Sequence, residues 1–328
     1  GAKTMAAALD RVADAEAALA DPTQPLTAWS LDPIYYDNVR CTRADLDAIS
    51  PSRPIGVLHA SGHIMNVNSR ALELAGMLRA GVNHPGIPLG ADGLPTGELK
   101  GPEAMAPVSP HVGFDRDALA ADEPGLRRFA RLCVRQGVTT AADLASMLPD
   151  AAVEMMTRVT GEADFPARIV SLRRLHGIAP QEIVARALEL RARSTERLRL
   201  GIIKIVADGS IQGFTARLNW PYYFNPPAGN AENGLWLMPP DQVPDIVEIF
   251  HRAGLTVHCH CNGDQAAEVF ISAVAQALER HPRWDHRHTV QHCQLTTPSQ
   301  YARMAALGMH ANIFSNHIFY WGDQHAAF

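Results

Sequence analysis

A chain of 328 residues with 47% hydrophobic and 19% charged side chains can bury a large core, and it carries no compositional mark of disorder or fibrous repetition. Its formal net charge of −5, with no Lys/Arg cluster interleaved with aromatics, argues against nucleic acid or an anionic membrane surface as a partner. There is no apolar run near the roughly 18 residues a membrane helix needs, and Cys41, Cys133, Cys259, Cys261 and Cys293 are too scattered for a disulfide framework, so a reducing, cytoplasmic setting is expected.

The opening GAKTMAAALDRVADAEAALA predicts an amphipathic helix. A Pro-bounded apolar strand follows at 54–60 (PIGVLHA), then His63 and a helix over 67–76 that Asn66 or Asn68 could cap. The Gly/Pro-rich stretch 81–97 must be turn and loop, and Glu98 and Glu103 lie just beyond it. From about residue 120 the pattern changes to short β-rich runs separated by helical periodicity: 138–144, 167–174, 200–209, 255–262, 288–293 and 309–315. Such alternation predicts βα units around a parallel sheet. An eight-stranded (β/α) barrel would need two more strands and about 250 residues, while a doubly wound sheet tolerates six. Lys204, His258, His260 and His292 within strands or at their ends favour a barrel mouth, and no Gly-rich phosphate loop follows any strand.

In LTVHCHCNGD the two-residue period of a strand puts His258 and His260 on one face and Cys259 and Cys261 on the other. Four such side chains cannot easily share one metal. His260, nearer the carboxyl end, is the better placed ligand, with the thiols packing outward as small apolar groups. His292 ends the next strand, so neighbouring strands deliver imidazoles at similar depth, a donor type suited to zinc and other divalent metals. Lys204 sits in a run of Ile and Val where an unpaired ammonium is costly. Spacing alone favours its pairing with a nearby carboxylate over its carboxylation to a metal-bridging carbamate. Capping explains the asparagines after His63 without catalysis, and a solvated loop is the simplest reading of Glu98 and Glu103.

The segments HASGHIMNVNSRALELAG, GLPTGELKGPEAM, GVTTAADL, IKIVADGSIQGFTARL, VHCHCNGDQAAE and VQHCQ resemble, in this order, the amidohydrolase superfamily, and within it the amidohydrolase-3 group that includes N-substituted formamide deformylase-like enzymes. The resemblance runs from about residue 40 to the carboxyl end. It implies a distorted (β/α) barrel that holds one or two divalent ions, zinc being the expected metal. The usual ligands are a His-x-His pair on the first strand, a carboxylated lysine on the fourth, histidines on the fifth and sixth, and an aspartate after the eighth. By motif the lysine is Lys204 and the fifth- and sixth-strand histidines are His260 and His292. His258 and His260 precede Asn-Gly-Asp, as on the family's fifth strand, so they are not the first-strand pair, and Asp323 is not the catalytic aspartate.

The expectation is therefore an α/β chain holding an incomplete metal-dependent-hydrolase-type (β/α) barrel, strands two to seven. Residues 1–120 would be a cap or inserted α+β subdomain and 121–328 the partial barrel. The expected function is that of a fragment of a hydrolase acting on non-peptide amide C–N bonds of a small molecule through metal-activated water. With only Lys204, His260 and His292 as ligands, the chain should bind metal weakly and hydrolyse little; a non-catalytic scaffold for ligand binding or regulation is the alternative. His63, Glu103 and His317 are the candidate pocket residues. Two open sheet edges would also favour self-association into a homo-oligomer.

Overall fold

The computed structural model describes residues 2–36, 39–114, 120–222 and 233–327. Two sheets organise it. The first, in spatial order β1 (Leu26–Leu31), β2 (Ile55–His59), β3 (Ile64–Val67) and β4 (Glu98–Lys100), pairs β1 with β2 in parallel and the rest antiparallel. Only β2 stands out in the sequence as a strand. Helix α1 (Met5–Ala17) packs Val12 against Leu26, Ile55 and Val57 on one side of this sheet. On the other, Met65, Val67 and Leu99 meet Ala71 and Leu72 of α3 (Ser69–Leu74) and Ala104 and Met105 of α4 (Pro102–Met105).

Between the first two strands lies α2 (Arg43–Asp47), started by a capping box in which Thr42 and Asp45 each bond the other's backbone N–H. Of the two asparagines weighed as caps, Asn68 is the one used. Its Oδ1 accepts from Ala71 and Ile55, and its Nδ2 donates to the carbonyls of Ser50 and Arg53. Asn66 lies inside β3, where it accepts from His59 Nε2 at 2.6 Å and donates to Cys41. His63 thus opens a strand rather than a helix. Residues 81–97 are turn and loop apart from one bridge, Leu89 to Pro95.

The second sheet is parallel throughout, and its strands lie side by side in chain order: β5 (Thr140–Ser146), β6 (Arg168–Arg174), β7 (Leu198–Val206), β8 (Val257–Cys261), β9 (Thr289–His292) and β10 (His310–Ile313). These are the six strands expected from the βα alternation. Helix α5 (Glu123–Arg135) precedes the first of them; the helices between them are α6 (Asp150–Gly161), α7 (Pro180–Ala192), α8 (Val243–Arg252), α9 (Asp264–Arg280) and α10 (Pro298–Ala306), and α11 (Asn316–Ala327) follows the last strand.

One face of this sheet is covered by helices. Ile203, Ile205, Val257, Cys259, Cys261 and Val290 meet Phe250 of α8 and Phe270 of α9 in the largest core cluster. Burial of each such aromatic ring is worth roughly 2–3 kcal/mol. The cysteines of β8 therefore belong to the helix-facing side, as the alternation predicted, and all five cysteines are free. The outer strands are poorly covered: β10 is exposed along its length and β5 along most of it. Asp32, just after β1, accepts a 2.7 Å bond from Trp321 Nε1 of α11, and Tyr35 donates to the carbonyl of Tyr320, so residues beside the first sheet touch the last helix.

At the amino-terminal end of the second sheet a histidine relay locks the base of β8 and β9. The Val257 N–H donates to His288 Nδ1 at 3.0 Å, which leaves the proton of this ring on Nε2, 2.9 Å from His251 Nδ1; His251 Nε2 then donates to the His281 carbonyl at 2.7 Å. His286 accepts from the His288 N–H through Nδ1 and donates to the Leu307 carbonyl through Nε2. Each ring is neutral in this arrangement, and every ring nitrogen has a partner.

Candidate active site

At the opposite, carboxyl-terminal end of the sheet, β7, β8 and β9 bring Lys204, His260 and His292 together. In register, Lys204 pairs with His258, Val206 with His260, and Cys261 with His292. The rings of His260 and His292 are 4.4 Å apart between centroids, and His63 reaches across from the first sheet to lie 4.6 Å from His260. Thus two expected ligands and one expected pocket residue form a run of imidazoles, with His260 at its centre.

Lys204 is 2% exposed, and its Nζ has no hydrogen-bond partner among the described residues. The carboxylate pairing favoured by spacing is absent there. Asp208, the carboxylate whose charge acts on Lys204, is spent on backbone: its Oδ1 accepts from Asn262, and its Oδ2 from Gly263 and Arg217. Burial lowers the Lys204 pKa to about 8, with the Arg174 charge adding to the shift and Cys259, Cys261 and Asp208 opposing it. Burial also raises Asp208 to about 7, against the pull of its three N–H donors.

His260 and His292 are held well below the ordinary imidazole pKa, first by burial and then by neighbouring cationic or imidazole groups. Both are therefore neutral near pH 7. His260 Nε2 donates to the Gly209 carbonyl at 2.8 Å, leaving Nδ1 as the lone-pair atom of its ring. His292 and Cys293 both adopt left-handed backbone, with φ of 76° and 52°. A β-carbon is disfavoured there, so the turn that ends β9 and aims the imidazole is strained.

In donor type, two neutral imidazoles and a buried amine of lowered pKa suit a divalent ion. The set is partial, since among the described residues no three His, Cys, Asp or Glu side chains are grouped to hold a metal. His258 points to the same face as His260 but is engaged elsewhere: Gln291 Nε2 donates to its Nδ1 at 2.6 Å, and Asn312 in turn donates to Gln291.

The other two expected pocket residues stand apart. Glu103 is largely exposed, 3.8 Å from His84 Nε2, on the wall of a cavity of about 590 Å3 that Arg174 and His176 also line. His317 packs on Phe314 at 4.6 Å, and Phe314 lies 6.2 Å from His292. Asp208 is the site residue that the sequence did not single out. Its place two residues after β7 was the available signal. The larger space, about 890 Å3, opens between Leu58, Met105 and Phe114 on one side and Asp143, Met147, Arg174 and His176 on the other.

Comparison with known proteins places this geometry. The chain is 27% identical over 285 residues to Protein LONG AFTER FAR-RED 3 of Arabidopsis thaliana, a match covering 83% of the chain and 47% of that protein. It is 30% identical over 258 residues to the protein YtcJ of Bacillus subtilis (strain 168), covering 75% of the chain and 44% of YtcJ. The chain thus spans about half the length of the curated relatives it matches. Among solved structures, an uncharacterized metal-dependent hydrolase from Pyrococcus horikoshii OT3 superposes with a TM-score of 0.59 at 18% identity, over 99% of this chain and 60% of that one. A second, from Pyrococcus furiosus, gives 0.56 at 19%, over 98% and 62%. At those identities the likeness is one of fold. The model of the amidohydrolase family matches residues 1–327, beginning well before the motifs first noticed near residue 40. With the parallel sheet and the histidine-lined mouth already in place, the family match settles the assignment: the chain belongs to the amidohydrolase family.

Proposed function

We propose that this chain forms the metal-holding wall of a hydrolase that cleaves non-peptide amide C–N bonds, with N-substituted formamides as the first substrates to try. The observation that carries the reading is the buried Nζ of Lys204, without a hydrogen-bond partner among the described residues, near two neutral imidazoles on β8 and β9. Lys204, His260 through Nδ1, and His292 would hold a divalent ion, zinc by preference, and the ion would supply Lewis-acid activation of water and of the amide carbonyl. The neutral state of both imidazoles keeps their lone pairs available. Burial makes Lys204 easier to deprotonate, and the neutral amine is the form that would add carbon dioxide, with loss of a proton, to give a carbamate. Asp208 fixes the Asn262-Gly263 and Arg217 backbone around the site, which makes it a positioning residue.

In this reading the second sheet supplies strands two to seven of an eight-stranded barrel, residues 1–120 act as a cap or inserted subdomain, and the exposed β5 and β10 edges favour self-association. The free cysteines suit a reducing compartment such as the cytoplasm. Equilibrium dialysis with zinc, followed by metal analysis, tests the ligand set. Weak uptake that falls further in both His260→Ala and His292→Ala is expected, and equal uptake by all three proteins would defeat it. A second reading, a non-catalytic ligand-binding scaffold, draws on the partial donor set. Hydrolysis of an N-substituted formamide, abolished by Lys204→Met, would rule it out.

A further inference from the structure

The loops after β7, β8 and β9 and helix α11 enclose another cavity, of about 710 Å3, at the same end of the sheet as Lys204, His260 and His292. Its walls are built mainly from Ile211, Leu218, Trp220, Tyr222, Leu295 and Ile318. Trp220 and Ile318 are 70% and 78% exposed, so large apolar surface is presented there to anything that enters. Size and lining are those of a small-molecule site.

Cationic side chains are missing from the described walls of this space. Among the described residues neither lysine nor arginine lines it, and the one carboxylate, Asp264, accepts from the Asn219 backbone N–H at 2.9 Å, the Asn219 side-chain amide at 2.7 Å and the Gln265 N–H at 3.0 Å. The Tyr222 hydroxyl donates to the Ala216 carbonyl. His317 and His325 have pKa values lowered chiefly by burial, that of His317 to about 4, so both rings are neutral near pH 7.

One polar atom is left over. Gln294 Nε2 approaches His325 Nδ1 at 3.2 Å, but Gln294 Oε1 is buried with no hydrogen-bond partner among the described residues. A buried acceptor left in that condition destabilises the fold, a cost that a donor brought by a ligand would remove. Gln294 follows His292 by two residues, and His317, on the cavity wall, is linked to His292 through Phe314. Cavity and imidazoles therefore share one stretch of backbone.

We propose that this cavity is the subsite for an uncharged, bulky apolar group of the substrate, with an N–H donor of the same molecule reaching Gln294 Oε1. The link to hydrolysis rests on the function proposed above; the binding itself does not. It divides substrates into apolar amides, which fit, and amides bearing a carboxylate in that position, which would meet apolar walls, the Asp264 carboxylate and no cationic side chain among the described residues.

Binding of three probes to the chain, read by ligand-observed NMR and calorimetry without turnover, tests this. N-benzylacetamide is expected to bind, N-acetylglycine to bind about tenfold more weakly or not at all, and N-benzyl-N-methylacetamide, which lacks the N–H, about fivefold more weakly. Leu218→Asp should weaken N-benzylacetamide about tenfold. Gln294→Leu should bring the two benzyl probes to equal affinity, with folding of both variants verified by their urea midpoints. Equal binding of N-acetylglycine, or unchanged probe affinities in both variants, would overturn the subsite. Zinc uptake by the same samples reports separately on the hydrolase reading: uptake without probe binding defeats only the subsite, and probe binding without uptake defeats only the hydrolase.

Discussion

Asn68 in the first sheet region and Lys204 in the second are both buried polar side chains, and they are treated oppositely. Asn68 has four hydrogen bonds to backbone and ties β2, the turn before it and the start of α3 into one unit. Lys204 has none. A buried polar group with every valence satisfied is explained by the fold, whereas one left unsatisfied destabilises the fold and calls for another explanation. The contrast supports the proposal that the chemistry sits at the mouth of the parallel sheet and assigns the asparagine to architecture.

The largest effect should come from Asn68→Ala. It strands two N–H groups and two carbonyls, so roughly 3–6 kcal/mol of stability should be lost, read from urea midpoints. A loss below about 1 kcal/mol would remove the contrast. Lys204→Met should act in the other direction and stabilise the chain by roughly 1–3 kcal/mol at pH 7, because an ammonium no longer has to be buried. With a folded pKa near 8 against 10.5 for the ordinary side chain, the penalty is complete below about pH 8 and fades as the pH rises through that interval. The gain should therefore shrink at pH 10, and a gain constant with pH would point to packing instead.

The histidine relay sharpens the comparison, since it is satisfied only while neutral. Burial, followed by His286, His251, Arg283 and His258, pushes the His288 pKa far down. The unfolded chain takes up a proton below about pH 6.5 that this ring refuses. Its contribution is complete above that pH and falls by on the order of 1 kcal/mol for each further unit of acidification. His288→Asn should reduce the pH dependence of the urea midpoint between pH 6 and 4 (about one proton's worth) even if it lowers stability at pH 7; an unaltered slope would show that other groups govern acid sensitivity. The smallest expected change is Thr297→Ala, which removes the capping box of Thr297 and Gln300 at α10 and should cost about 1 kcal/mol.

What the sequence revealed follows the same division. All six parallel strands were legible because each is a compact run rich in β-branched and small apolar residues between helical stretches, a pattern set by burial of the sheet. In the first sheet β1, β3 and β4 were not. β1 alternates irregularly between buried and exposed positions, β4 has three residues, and β3 carries Asn66 at its centre, so pairing with β2 rather than local preference holds them. At the site, Lys204, His260 and His292 stood out as polar residues in or beside apolar runs. The solitude of Lys204 was hidden, because Asp208 is near in sequence and only the folded loops show it occupied by backbone. The apolar cavity could not be read at all, for its walls come from four separate segments.

The left-handed turn at the end of β9 gives Cys293 an influence that its chemistry does not suggest. As a buried thiol it is inert, yet its φ of 52° helps to set where the preceding imidazole points. Glycine at this position would relax the turn and widen the range of directions open to His292, while a β-branched residue would force the turn to rearrange. The chain can thus retune one arm of its site through a neighbour that never touches a ligand, which makes Cys293 a steering position for laboratory evolution.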